Sequence, residues 1–153
     1  MKRKFVLLAI TLFSTLVLSG PALAQRNVEP KVAVDPVLEK DAKHSLEVAW
    51  QYFKLKKAYK AVLSRYEETA AAYPEFSKID EFLYLAGMSS YYLSDNKGKQ
   101  KIDLATEKDK EKYTPERLRE DAVAYLSLML RKNPESKYKD EAEKALRELK
   151  AKQ

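Results

Sequence analysis

The sequence predicts an all-α protein of five helices, stacked as two helical hairpins followed by a capping helix. Three observations support this prediction. From residue 36 onward, apolar residues recur at the three- and four-residue spacing of a helix face. Asp35-Pro36 and Thr114-Pro115 are typical helix starts. A turn containing Pro-Glu occurs twice, at Pro74 and at Pro134, and each time it separates two apolar stripes.

Residues 1–24 have the pattern of a secretory signal peptide. A basic start at Lys2-Arg3-Lys4 precedes an apolar run from Phe5 to Leu18, and Ala22-Leu23-Ala24 matches a cleavage site. The apolar run is short for a membrane span, which favours cleavage over an uncleaved anchor. We therefore expect an exported protein that is soluble in a bacterial periplasm, with residues 25–34 as a flexible leader and 35–153 as the helical domain.

The composition of the remaining chain argues against several classes of protein. It contains 26 basic and 23 acidic residues, a net charge of +3, which is weak evidence for nucleic-acid binding. No cysteine is present, so neither a disulfide nor a lipid-accepting cysteine is expected. We expect no nucleic-acid partner and no integral membrane span after signal cleavage.

The first two helices should form an antiparallel hairpin, because only a short turn near Leu55-Lys56-Lys57 separates their stripes. The second helix ends before Pro74, since the residue preceding a proline is pushed out of helical conformation. The first stripe consists of Leu38, Ala42, Leu46, Ala49, Trp50 and Phe53, and the second of Tyr59, Val62, Leu63, Tyr66, Ala70 and Tyr73.

The third helix is apolar on nearly every side, so it should lie at the centre with other helices packed around it. Ser77 is the expected N-cap, with Asp80 completing a capping-box pattern. Gly87 in mid-helix costs about 1 kcal/mol relative to alanine, and a close approach of another helix would explain it. One face carries Ile79, Phe82, Leu83, Ala86, Ser90 and Leu93, and the other carries Tyr84, Leu85, Met88, Tyr91 and Tyr92.

The segment at about 95–114 is rich in lysine, and we expect a solvated, mobile excursion whose helical content the sequence leaves open. Thr114-Pro115 then begins a fourth helix that ends at Asn133-Pro134. Ser136 is the expected N-cap of a fifth helix, whose second face is charged as in the solvent-facing cap of a stack. The two stripes are Leu118, Ala122, Tyr125, Leu126, Met129 and Leu130, and Tyr138, Ala142, Ala145, Leu146 and Leu149.

Two segments of the chain resemble each other, one on each side of the lysine-rich insertion. Without that insertion the period falls to about 34–37 residues, the length of a helix–turn–helix repeat. The matching positions are Val62, Tyr66, Pro74-Glu75 and Asp80-Glu81 in the first copy, and Ala122, Leu126, Pro134-Glu135 and Asp140-Glu141 in the second. On these residues the chain resembles the tetratricopeptide repeat family, over about residues 37–151.

Within that family, the run from Tyr73-Pro74 to Tyr91-Tyr92 is most similar to the periplasmic tetratricopeptide lipoproteins of the outer-membrane β-barrel assembly machinery. The resemblance implies two repeats plus a capping helix, with the first helix of each repeat lining a concave surface. It also implies a non-catalytic scaffold or adaptor that binds a protein or peptide partner in the cell envelope.

The candidate partner-binding residues are Tyr84, Met88, Tyr91 and Tyr92, because aromatic residues and methionine give a large contact area at low entropic cost. The same residues could instead pack on the second and fifth helices, since a central helix needs two buried faces. The sequence leaves both alternatives open.

No constellation of residues predicts catalysis. His44 is the single histidine, and with no cysteine present the chain lacks a set of several strong nitrogen and sulfur ligands for a metal; a serine or threonine nucleophile would have no histidine base other than His44. Carboxylate pairs such as Glu67-Glu68 are more typical of solvated helix faces. The sequence contains three glycines, too few in any one place for a phosphate loop. We therefore expect no catalytic residue, no cofactor and no metal.

Lys54, Lys56, Lys57 and Lys60 form a basic cluster at the first turn. They indicate either a solvated turn or a contact with acidic partners or anionic lipid headgroups, and the lysine-rich insertion has the same two interpretations. Three other functions stay open: an accessory component of the β-barrel assembly machinery, an enzyme of envelope polymers, and a small helical structural protein whose insertion orders on binding.

Overall fold

The computed structural model describes residues 35–152, and over this range the chain is all-helical, which confirms the predicted fold class. The α-helices are α1 (Pro36–Gln51), α2 (Tyr59–Ala72), α3 (Ile79–Ser94), α4 (Pro115–Lys132) and α5 (Lys139–Lys150). A π-helical turn, Tyr52–Lys56, extends α1, and a 3₁₀ turn, Glu111–Tyr113, precedes α4. The predicted signal peptide (1–24) and leader (25–34) lie outside the described residues. Within 35–152, no helix has the length and apolar character needed to cross a membrane.

Helix α3 lies at the centre, as its sequence predicts. It contacts each of the other four helices, and every residue from Phe82 to Tyr91 is buried. Fully burying a large apolar side chain is worth about 1.5–3 kcal/mol, so this helix anchors the core. The completely buried large side chains around it include Phe76, Val62, Leu118, Leu126, Met129 and Leu149.

The predicted close helix approach at Gly87 is confirmed. A Cβ atom at this position would lie 2.6 Å from Leu126 Cγ and 3.3 Å from the Leu126 backbone nitrogen on α4. Because Gly87 has no side chain, the Leu126 side chain of α4 can pack directly against the backbone of α3. Asn133 Nδ2, just after α4, donates to Asp80 Oδ2 at 2.8 Å, so the end of α4 lies beside the start of α3. The two helices are antiparallel.

Two of the four predicted helix caps are confirmed. The Asp35 carboxylate accepts from Val37 N at 2.8 Å, and the Thr114 hydroxyl accepts from Arg117 N at 3.3 Å. Both side chains satisfy amide groups that have no partner inside the helix.

The predicted caps at Ser77 and Ser136 are wrong. Helix α3 begins at Ile79 and α5 at Lys139, and neither has a side-chain cap. The Ser77 hydroxyl donates to the Glu39 carboxylate instead, which lowers the pKa of Glu39 and fixes α1 to the turn before α3. Ser136 Oγ accepts a weak hydrogen bond from Tyr138 N at 3.4 Å, outside the helix.

The two proline turns have the same backbone geometry. In the first, Phe76 N donates to Tyr73 O and Ile79 N donates to Phe76 O, at 3.3 and 3.1 Å. In the second, Ser136 N donates to Asn133 O and Lys139 N donates to Ser136 O, at 3.1 and 3.0 Å. The donors and acceptors occupy matching positions of the two sequence copies, so the shift that relates the two sequences also relates the two turns.

The lysine-rich insertion is mostly exposed, as expected, but it lies along α2. Lys60 pairs with Glu107, and Lys112 Nζ lies 2.7 Å from the Glu67 carboxylate. Lys99 N also donates to Lys57 O at 3.0 Å. Ion pairs and backbone hydrogen bonds therefore attach the insertion to the first hairpin.

Candidate functional site

Helices α3 and α5 lie side by side and make a regular series of polar contacts. In every pair the two residues are 57 positions apart, so both helices run in the same direction. The pairs are Tyr138 with Glu81 (2.8 Å), Tyr84 with Glu141, Tyr91 with Glu148 (2.5 Å) and Lys152 with Asp95 (2.7 Å). On α3 these positions follow the three- and four-residue spacing of one helix face. We call this series the α3–α5 seam.

The hydroxyl groups in the seam are held in their protonated form. Burial raises the pKa of Tyr84, and the hydrogen bond to Glu141 raises it further. The hydrogen bond to Glu148, together with burial, raises the pKa of Tyr91 to about 12. Both phenols therefore donate to a carboxylate at neutral pH, and hydrogen bonds to a charged acceptor are among the stronger ones in proteins.

A cluster of aromatic rings joins α1 to one end of the seam. Tyr84 and Tyr138 stack with ring centroids 4.3 Å apart, and the Trp50 ring lies 5.7 Å from Tyr138. Trp50 Nε1 donates to Glu81 Oε1 at 2.8 Å, and the Tyr138 hydroxyl donates to the same oxygen. Glu81 thus ties three elements together, and Tyr84 is sealed beneath this cluster with 4% of its surface exposed.

The middle of the seam contains a cavity instead of a polar pair. Met88 and Ala145 occupy the middle positions of the two helices, and the short alanine side chain leaves a space of about 290 Å³ beside them. We call this space the α3–α5 cleft. Its lining consists of Met88, Tyr91, Tyr92, Lys97, Glu141, Lys144, Ala145 and Glu148.

The cleft combines an apolar floor with a rim of both charges. Lys97 Nζ lies 5.8 Å from the Tyr91 ring centroid and 3.2 Å from Asp95 Oδ2. Lys144 and Glu148 are exposed on the α5 side. Such a site can bury an apolar group and hold polar or charged groups at its edge.

Three of the four predicted partner-binding residues line this cleft. Met88 and Tyr91 are 7% and 6% exposed, and Tyr92 is half-buried. Tyr84 lies outside the cleft. Lys97, Lys144 and Glu148 also line the cleft but were not predicted from the sequence. Glu148 could have been found, because it lies three residues after Ala145 and therefore on the same side of α5.

His44 is exposed on α1. Within the part of the chain that the structure describes, no group of three histidine or carboxylate side chains is placed to hold a metal ion.

Comparisons of the chain with protein-family models, with curated proteins and with solved structures found no match. The tetratricopeptide resemblance therefore stays a prediction from the sequence.

Proposed function

We propose that this protein is a non-catalytic scaffold of the cell envelope that binds a segment of a partner protein in the α3–α5 cleft. The observation that carries this proposal is the cavity at Met88 and Ala145, where an apolar floor opens between charged side chains. A partner would insert one apolar side chain there and place its neighbouring groups against Lys97, Lys144 and Glu148.

The size of the cleft favours a peptide segment over a whole cofactor. Pockets that enclose small-molecule ligands have volumes of roughly 300–1,000 Å³ and bury most of the ligand. At about 290 Å³ the cleft is just below this range, and it is open to solvent. One or two side chains of a peptide fit such a space, and the peptide backbone would run across the rim.

The polar groups of the cleft support binding more than catalysis. The Tyr91 hydroxyl donates to Glu148 and has its pKa raised to about 12, so it is a poor general acid or base at neutral pH. A nucleophile would also need a neighbouring base, and the single histidine of the chain is exposed on α1.

A tetratricopeptide-like stack is part of the same proposal. The two proline turns have equivalent backbone hydrogen bonds at matching positions. Helices α3 and α5 are parallel to each other, and α4 is antiparallel to both. Aromatic residues of α1, α3 and the turn before α5 also meet in one cluster. In a stack of helical hairpins, alternate helices form one continuous surface, which is the usual place for a partner. The signal-peptide pattern of residues 1–24 supports the periplasm as the compartment.

The test is site-specific photo-crosslinking in cells. A photo-reactive residue at Lys144, on the rim of the cleft, should capture one defined protein, whereas the same residue at Lys40, exposed on α1, should not. The captured protein is then identified and purified, and its binding is measured in solution.

A cavity-filling variant assigns that binding to the cleft. Ala145→Met places three extra heavy atoms in the cavity and should reduce affinity for the partner at least about tenfold, because the partner side chain loses its space. Ala124→Met adds the same atoms at an exposed position of α4 and is the matched control. Undiminished binding by a folded Ala145→Met protein would rule out the cleft as the binding site.

A further inference from the structure

Two segments of the chain carry several lysines and no acidic residue. The first runs from residue 48 to residue 66 and includes the end of α1 and the turn before α2. The second runs from residue 96 to residue 102, directly after α3. The two segments are well separated in the sequence, and only the fold shows whether their lysines lie on the same surface.

The structure joins the two segments at one end of the molecule. Lys99 N donates to Lys57 O at 3.0 Å, and Ala61 N donates to Gln100 Oε1 at 3.2 Å. Gly98 allows this contact, since a Cβ atom there would lie 2.7 Å from Lys57 O. We call the joined surface the basic tip and define it by Leu55, Lys56, Lys57, Lys99 and Lys101.

The lysines of the basic tip have no acidic partner among residues 35–152. The nearby Lys60 and Lys97 form ion pairs with Glu107 and Asp95, but no carboxylate oxygen lies within 4.0 Å of the four tip lysines. The Lys56 ammonium lies over the Tyr52 ring, 4.9 Å from its centroid, and the ring attracts it without supplying a formal negative charge. Lys101 Nζ donates to the uncharged Asn96 O at 2.7 Å, and all four lysines are exposed.

Leu55 is placed among these lysines with 75% of its surface exposed. It lies in the π-helical turn, and Lys57 follows it in the left-handed conformation with φ of 48°. A left-handed lysine costs roughly 1–2 kcal/mol relative to glycine. This one turn therefore contains two unfavourable features: the left-handed backbone of Lys57 and the solvent-exposed side chain of Leu55.

We propose that the basic tip binds the surface of an anionic membrane, with the lysines against lipid phosphates and Leu55 inserted among the headgroups. An apolar side chain ringed by cations suits this interface, because the two types of group lie at adjacent depths of a bilayer. Each lysine near an anionic surface adds about 1 kcal/mol of attraction. The proposal does not depend on the α3–α5 cleft, and it requires no membrane-spanning helix.

Vesicle flotation tests the charge requirement. Full-length protein should bind mixed vesicles of phosphatidylcholine and phosphatidylglycerol more strongly than pure phosphatidylcholine vesicles, and added salt should weaken the binding. Lys56→Gln/Lys57→Gln should reduce the affinity about 30-fold. The control, Lys40→Gln/Lys78→Gln, removes the same charge near the starts of α1 and α3, at the opposite end, and should have little effect. Residues 1–34 are identical in all variants, so they cannot cause a difference in binding between them.

A second measurement tests the depth of Leu55. In a Leu55→Trp variant, tryptophan emission should shift to the blue on adding anionic vesicles, and brominated lipids should quench it, after subtraction of the Trp50 signal. Val37→Trp, at a 67% exposed position at the start of α1, should show neither effect. Equal binding by the two lysine double variants, or an unshifted Leu55→Trp spectrum, would overturn the proposal. So would binding to soluble heparin without binding to anionic vesicles, which would indicate an acidic macromolecule instead.

Discussion

Replacing Gly87 by alanine should destabilise the protein, although alanine favours helices. The added Cβ would lie 2.6 Å from Leu126 Cγ and 2.7 Å from Leu126 Cδ2, and the Leu126 side chain is completely buried. It would also lie 3.3 Å from the Leu126 backbone nitrogen, so a change of rotamer alone does not relieve the contact. Helix α4 must shift by a few tenths of an ångström.

Two opposing effects set the size of the change. Overpacking a well-filled core costs about 1–3 kcal/mol, and the fully buried position of Leu126 places this site near the upper limit. The better helix propensity of alanine returns about 1 kcal/mol. We therefore expect Gly87→Ala to lower the free energy of unfolding by about 2 kcal/mol, measured by urea denaturation followed by circular dichroism at 222 nm.

The Leu126→Ala background distinguishes this explanation from a general effect of the substitution. Shortening Leu126 removes the two contacts below 3.0 Å and leaves only the 3.3 Å contact with the backbone nitrogen, so Gly87→Ala should become neutral or stabilising by up to about 1 kcal/mol. The double-mutant cycle thus predicts a coupling energy of roughly 2–3 kcal/mol between the two positions. If Gly87→Ala has the same effect in both backgrounds, the steric explanation is refuted.

Three other predictions concern the cap of α4, the contact that joins the two segments of the basic tip, and two tyrosines with raised pKa values. Thr114→Ala should cost about 1 kcal/mol in urea denaturation, because Arg117 N loses its acceptor, and an unchanged midpoint would contradict the cap. Gly98→Ala, at φ of 97°, should raise the hydrogen-exchange rate of the Lys99 amide, whose bond to Lys57 O it disrupts; full protection would contradict this. In the folded protein the pKa values of Tyr91 and Tyr125 are raised to about 12, whereas tyrosines of the unfolded chain ionise near about 10. The free energy of unfolding should therefore fall as pH rises from about 10 to 12. Urea midpoints of Tyr125→Phe should fall less over that range, and parallel profiles would argue against the shift.

Local signals in the sequence predicted the helix starts that depend on local contacts alone. Asp35-Pro36 and Thr114-Pro115 place an acceptor beside amides two or three residues away, and the structure shows those bonds. Ser77 has the same local appearance, yet its hydroxyl donates to Glu39, which is 38 residues distant. A sequence pattern cannot distinguish the two arrangements, because the second depends on where α1 lies.

The path of the lysine-rich insertion was beyond prediction for the same reason. Its attachments join Lys60 to Glu107 and Lys112 to Glu67, pairs that are 47 and 45 residues apart. Each partner appears in the sequence as one charge on a solvated face, and nothing in its spacing indicates a particular counter-ion. The basic tip follows from this path, since the contact between Lys99 and Lys57 brings together two lysine-containing segments that are well separated in the sequence.

The apolar character of α3 predicted its central position but left open what covers its second face. In the structure, different parts of that face are covered to different extents, depending on which residue of α5 lies opposite. Opposite Tyr84 the covering is complete, since Tyr138 stacks on its ring and Glu141 accepts its hydroxyl. Opposite Met88, α5 offers only Ala145, and the cavity remains. Packing and partner binding are therefore compatible on one helix face: the polar pairs on either side fix the spacing of α3 and α5, and a small residue between them leaves room that a partner's side chain can fill.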